Sequence, residues 1–188
     1  MSLNFINEYR KDGHGFHSFL DQVDNQQYVY TKFEPAFCHY VLPTFDQPDL
    51  KASWKLVALA PNDWSVISNE IVSKSNNQGE HDQAKQILAD VAKSFNADKM
   101  LLEMQNPTVT RFEQSPKIST YLFAIVAGPF KHVEYIEQGL PPMRVYLRSS
   151  LMQTVDQTYL REMMTVTKRG MFFYQDLFGK NYVFSKYD

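Results

Sequence analysis

TKFEPAFCHYVLPTFDQPDLKASW, residues 31–54, is the stretch whose local chemistry decides how the rest of the chain is read. It sets a carboxylate, Glu34, between Phe33 and Pro35, and then brings Pro43, Phe45, Asp46 and Pro48 together ahead of Lys51 and Trp54. Each proline removes a backbone N–H and biases the residue before it to extended geometry, so the stretch cannot be a helix interior or a central strand. It reads as a stiff, ordered loop. A stiff loop with a carboxylate beside aromatic rings is a place where a scaffold can hold a charge for a ligand.

Working outward, QQYVYTKF leads into this loop as a strand, with Tyr28 and Tyr30 on one face and Val29 on the other. Residues 13–25, GHGFHSFLDQVDN, carry two glycines and a D-x-x-D-N cluster and read as a loop. After the loop, ASWKLVALAP and WSVIS read as strands ended by Pro61 and Asn69. TVTRFE, STYLFAIVAG and MRVYLR follow, the second apolar enough on both faces to lie centrally in a sheet. Two helices are expected. Ala84, Ile87, Leu88, Val91, Ala92 and Phe95 recur at helical spacing and predict an amphipathic helix over about 80–95. Leu160, Met163, Met164, Thr167, Met171, Tyr174 and Phe178 mark one face of a longer C-terminal helix, with a capping-box spacing at Thr154–Gln157 and Gly179 to end it. The class is mainly β with added helices.

The 188 residues allow one or two small domains, and 44% apolar with 14% aromatic residues suffices for a packed core. A net charge of −2 excludes a dedicated nucleic-acid surface, which needs a basic stripe. One cysteine, Cys38, rules out an internal disulfide and a Cys-rich zinc knuckle, and suits a reducing compartment, so a cytoplasmic location is expected. No apolar run approaches the ~20 residues of a membrane helix. The opening Met-Ser-Leu reads as a cloning remnant, leaving room for a native targeting segment ahead of it.

The loop resembles the TQFEP…FPCFDEPxxKA segment of the aminopeptidase N family, zinc-dependent peptidases of the gluzincin type. Thr31, Phe33, Glu34, Pro35, Pro43, Phe45, Asp46, Pro48, Lys51 and Ala52 fall in register with it. GFHSFLDQVDNQQYVYTKFEP, DWSVISN, ISTYLFAIVAGPF and FFYQDLFGKNYVFSKYD resemble further family segments in the same order. The resemblance implies a partial β-sandwich over residues 1–147, the C-terminal part of the family's N-terminal β-domain, with the 80–95 helix inserted on its sheet or covering a sheet edge. Residues 148–188 would then open a thermolysin-like catalytic domain. On that reading the chain is a fragment, and an unpaired strand edge left by missing upstream strands would favour self-association.

The resemblance also implies a site. In the family, the glutamate at the position of Glu34 binds the free α-ammonium of a peptide substrate; the plainer reading is a loop carboxylate tied to a neighbouring N–H or to Lys32. Zinc is expected in the full-length parent and not in this chain, because a gluzincin needs H-E-x-x-H and none of His14, His17, His39, His81 or His132 is followed by Glu. The expected function is therefore part of a zinc aminopeptidase acting on peptides with a free N-terminus, inactive alone; the alternative is a non-catalytic scaffold or interaction domain of the same fold. Phe33 and Tyr30 are either core or the wall of a side-chain pocket. Asp46 reads as a turn or cap carboxylate. His39 and Tyr40 stand where the family has arginines, which puts any ion pair there in doubt. His14 and His17 form an H-x-x-H pair without partners for a four-ligand site, His132-Val133-Glu134 lacks the P-C-x-x-C of zinc deaminases, and Cys38 reads as a small apolar side chain.

Overall fold

The computed structural model describes residues 3, 5–73, 82, 86, 87, 89, 90, 93, 94 and 107–188. Among these, eight strands pair antiparallel in three sheets. The largest sets β1 (Gly15–Leu20), β2 (Gln27–Lys32), β6 (Ile125–Gly128) and β4 (Ser65–Ser68) side by side in that order. The hydrophobic pattern of residues 119–128 predicts a central strand, and β6 is one. β3 (Val57–Ala60) pairs with β5 (Thr108–Arg111), and β7 (Lys131–Tyr135) with β8 (Met143–Leu147).

Two expectations about the strands are corrected. Residues 13–25 are not all loop, since β1 pairs with β2 over its whole length, from Gly15 opposite Lys32 to Leu20 opposite Gln27. The glycines that suggested a loop stand at the entry to the strand: Gly13 at φ 82°, two residues ahead of it, and Gly15 at φ 64°, its first residue, turn the chain into it, a backbone state that glycine adopts without steric cost. STYLFAIVAG is strand only from Ile125; Thr120–Leu122 form a 3-10 turn. There, Ser119 Oγ donates to the Pro48 carbonyl and Thr120 Oγ1 to Asp46, so the side chains bind the proline loop instead of continuing the ladder. β7, Lys-His-Val-Glu-Tyr, holds a single aliphatic residue and was not legible as a strand. Of the helix expected over 80–95, Asp82, Gln86, Ile87, Ala89, Asp90, Lys93 and Ser94 are helical and exposed, and the rest lies outside the described residues.

The core is built beneath the proline loop. Phe33 and Cys38, 2% and 0% exposed, cluster with Val41, Ile118 and Phe123, and Phe16, Trp54, Leu56 and Ile125 pack around them. Trp54 stacks on Phe123 at 4.3 Å and 11°. Burying one such aromatic ring is worth about 3 kcal/mol. A cavity of about 510 Å³ lies between the four-stranded sheet, through Val29, Ala127 and Val66, and the β3 segment, through Leu56, Ala58 and Ala60.

After β8 the chain makes one helical turn, α1 (Ser149–Met152), and then α2 (Gln157–Phe178). The cap of α2 is Asp156, whose carboxylate accepts from Thr158 N–H at 2.7 Å; Thr154 instead donates to the Leu151 carbonyl, so the capping-box expectation is corrected by two residues. Gly179 at φ 61° ends the helix as its position predicts. The predicted apolar face is buried at Leu160 and Met164 and open further along, where Tyr174 and Phe178 are 57% and 67% exposed. The closing segment returns to the β-domain: Tyr187 bridges Met143, Ser185 Oγ donates to Glu70, and Phe184 packs against the core cluster. Among the described residues no helix is long and apolar enough to cross a membrane.

Candidate functional site

β2 delivers the chain directly into the loop that carries Glu34. Phe33, one residue past the strand end, drops its ring into the core, and its carbonyl accepts from Phe37 N–H at 2.7 Å to close a tight turn. With that ring fixed below, Glu34 is held outward. It is exposed, and among the described residues its carboxylate has neither a hydrogen-bond nor an ion-pair partner, from a backbone N–H, from Lys32 or from any other group. The Glu34–Pro35 peptide bond is cis. An unpaired carboxylate on an anchored backbone keeps its full capacity to accept from an incoming cation, and such charge-assisted bonds are about twice as strong as neutral ones.

The second carboxylate of the loop is spent internally. Asp46 has a side chain only 6% exposed, and its Oδ2 accepts from His39 N–H at 3.1 Å and lies 3.0 Å from His39 Nδ1, while Oδ1 accepts from Thr120. Burial alone would raise its pKa; the bonds from Thr120 and His39 outweigh burial and hold the carboxyl below its ordinary value. Asp46 thus ties down the Cys38–Tyr40 3-10 turn from outside it, a structural carboxylate of the loop. His39 does pair with Asp46 although it stands where arginine was expected, and Tyr40 packs beneath the Arg10 guanidinium, 5.0 Å from its ring centre. Neither contact was legible, because each joins residues whose approach depends on the loop's path.

The remaining candidates separate cleanly. Phe33 is core and not a pocket wall. Tyr30 lies on the sheet face away from Val29, beside His17 at 5.1 Å between ring centres. His17 Nδ1 accepts from Gly13 N–H and His14 packs on Phe37, so both histidines are engaged locally. His132 packs on Tyr146 and Glu134 binds Arg144, a cross-strand arrangement of β7 and β8. Cys38 is fully buried, and burial pushes its thiol pKa up, which makes it a weak nucleophile. Among the described residues no three His, Cys, Asp or Glu side chains gather as metal ligands.

Fold and loop together define a class: an antiparallel β-domain of the aminopeptidase type that presents a glutamate at the end of an inner strand and continues into a helix. The chain belongs to the peptidase M1 N-terminal domain family, whose model matches residues 1–122. It is 32% identical over 183 residues to an aminopeptidase N of Streptomyces lividans, covering 96% of this chain and 18% of that protein. It is 24% identical to an aminopeptidase N of Rattus norvegicus, over 100% of this chain and 17% of the relative. It is also 24% identical to an aminopeptidase Q of Homo sapiens, over 97% and 16%. The chain thus spans less than a fifth of the length of these relatives.

Proposed function

We propose that this chain is the substrate-end-recognising part of a zinc aminopeptidase, and that Glu34 binds the free α-ammonium of the peptide whose first residue is removed. The observation that carries the reading is the state of Glu34: exposed, unpaired among the described residues, and carried on a turn whose backbone is anchored by the buried ring of the residue before it. A carboxylate so held selects for a charged chain end, since a blocked amine offers it no cation. Similarity to aminopeptidases over nearly all of this chain supports the same role.

The zinc that the family implies does not fit the residues present. No histidine of the sequence is followed by glutamate, and the described histidines are bound to local partners or packed on rings. No hydrolytic step is therefore derived from this chain, and the metal and its activated water belong, on this proposal, to the remainder of the parent. The proposed division into residues 1–147 and 148–188 is supported by the change from strand to helix between Leu147, the last residue of β8, and Ser149, the first of α1.

The test is Glu34→Ala in the full-length parent, assayed with an amino-acid anilide. Loss of a charge-assisted bond of about 1.5–3 kcal/mol should raise KM roughly 10- to 100-fold. Unchanged kinetics would remove the assignment.

A further inference from the structure

The turn between β1 and β2, LDQVDNQQY, does more than reverse the chain. Asp21 is 4% exposed, and a buried carboxylate is costly unless donors surround it. It has three: Val23 N–H at 3.0 Å, Ser150 Oγ at 2.6 Å and the Arg148 guanidinium at 3.0 Å. The bonds from Ser150 and Val23, then the charge of Arg148, hold its carboxyl below the ordinary range, so it stays ionised at neutral pH. Arg148 is itself braced over the Phe19 ring, 5.7 Å from its centre. Beside it, Asp24 Oδ2 accepts from Tyr28 Oη at 2.9 Å and from Ser150 N–H at 3.2 Å. Tyr28 Oη accepts in turn from Ser149 N–H at 3.0 Å.

Every one of these long-range bonds ends on residues 148–150, the first residues after β8, and starts on the β1–β2 turn or the head of β2, at least 121 residues earlier. Tyr28 is wholly buried, and the space for its ring exists because residue 128 is glycine: a Cβ there would meet Tyr28 Cδ1 at 2.7 Å. β2 is the shared element. Its first turn-side residues grip the segment that leads to α2, and its other end delivers Phe33 and Glu34.

We propose that Tyr28, with Asp21 and Asp24, is a positioning residue: the cluster latches residues 148–150 to the head of β2, and so fixes the helical segment relative to the strand that presents Glu34. The positioning role rests on the amine-binding reading of Glu34; the latch does not. Two measurements separate them. In this chain, amide exchange followed by NMR should quicken roughly tenfold at Ser149 and Ser150 in Tyr28→Phe, with the β3–β5 ladder amides unchanged. Ser150→Ala, which removes only one donor to Asp21, should show the same pattern more weakly. Unaltered exchange at Ser149, or acceleration of all amides together, overturns the latch.

In the full-length parent, Tyr28→Phe should raise KM for an amino-acid anilide roughly tenfold with kcat nearly kept, and this rise should vanish in a Glu34→Ala background. A KM rise of equal size in both backgrounds, or a fall in kcat alone, overturns the positioning role. A Glu34→Ala change that leaves KM untouched overturns the amine reading and the positioning role with it, whereas the exchange result judges the latch separately.

Discussion

Two of the loop's three carboxylates, Glu34 and Asp46, stand twelve residues apart and behave in opposite ways. Asp46 is nearly buried and takes hydrogen bonds from His39 and Thr120, so its charge serves the fold. Glu34 stands in solvent with no partner among the described residues, though the turn beneath it is anchored as firmly. Each follows a phenylalanine and lies within two residues of a proline. What separates them is the neighbour that is buried: Phe33 goes inward and leaves Glu34 out, whereas Phe45 is 84% exposed and Asp46 turns in. The alternation of one buried and one exposed residue assigns the two roles.

The largest effect should come from the anchor of the Glu34 turn. Phe33→Ala removes a ring that is 2% exposed from the centre of the core cluster, and should lower the unfolding free energy by about 3–5 kcal/mol in urea titration. A loss under ~1 kcal/mol would mean that the turn is not held from below. Next in size is Asp46→Ala, which strands His39 N–H and Thr120 Oγ1 without their acceptor and should cost about 3 kcal/mol. On the role proposed for Glu34, this variant should leave amine binding in the full-length parent nearly intact, since the Asp46 side chain is only 6% exposed.

Acid should sharpen the same contrast to a lesser degree. The folded pKa of Asp46 lies below its unfolded value near 3.8, so its contribution is complete above that value and is lost as pH falls through the folded one. Stability measured across that acid window should fall more steeply in the natural chain than in Asp46→Asn. Parallel curves for the two would show that the hydrogen bonds do not favour the ionised form.

How much of this was legible follows from the range of the interactions. The class of fold, the loop, and the C-terminal stop at Gly179 are written in local signals, prolines, alternation and a single αL glycine, and these read correctly. β1 was hidden because Gly13 and Gly15 announce a turn, and its pairing partner, not its own composition, makes it a strand. Asp21 and Asp24 read as turn chemistry, which they perform through the bonds from Val23 and Gln26 N–H, and Tyr28 reads as a strand residue, which it is. Their second task, reaching Ser149 and Ser150, depends on a contact across most of the chain that no window of sequence displays. The motif singles out Glu34, but its lack of a partner among the described residues is a fact of three dimensions.

The smallest effect is the one on which the comparison turns. Glu34→Ala should change the unfolding free energy of this chain by no more than about 0.5 kcal/mol, because an exposed side chain without hydrogen bonds gives up little on truncation. Chemical denaturation of the variant beside the natural chain checks it. A loss above ~1 kcal/mol would show that Glu34 has a structural partner after all, and would make the two carboxylates alike. If the fold is indifferent to Glu34 while the parent's affinity for charged chain ends is not, then the core under Phe33 maintains a group from which it gains nothing, and the purpose of that rigidity lies in the cation that arrives.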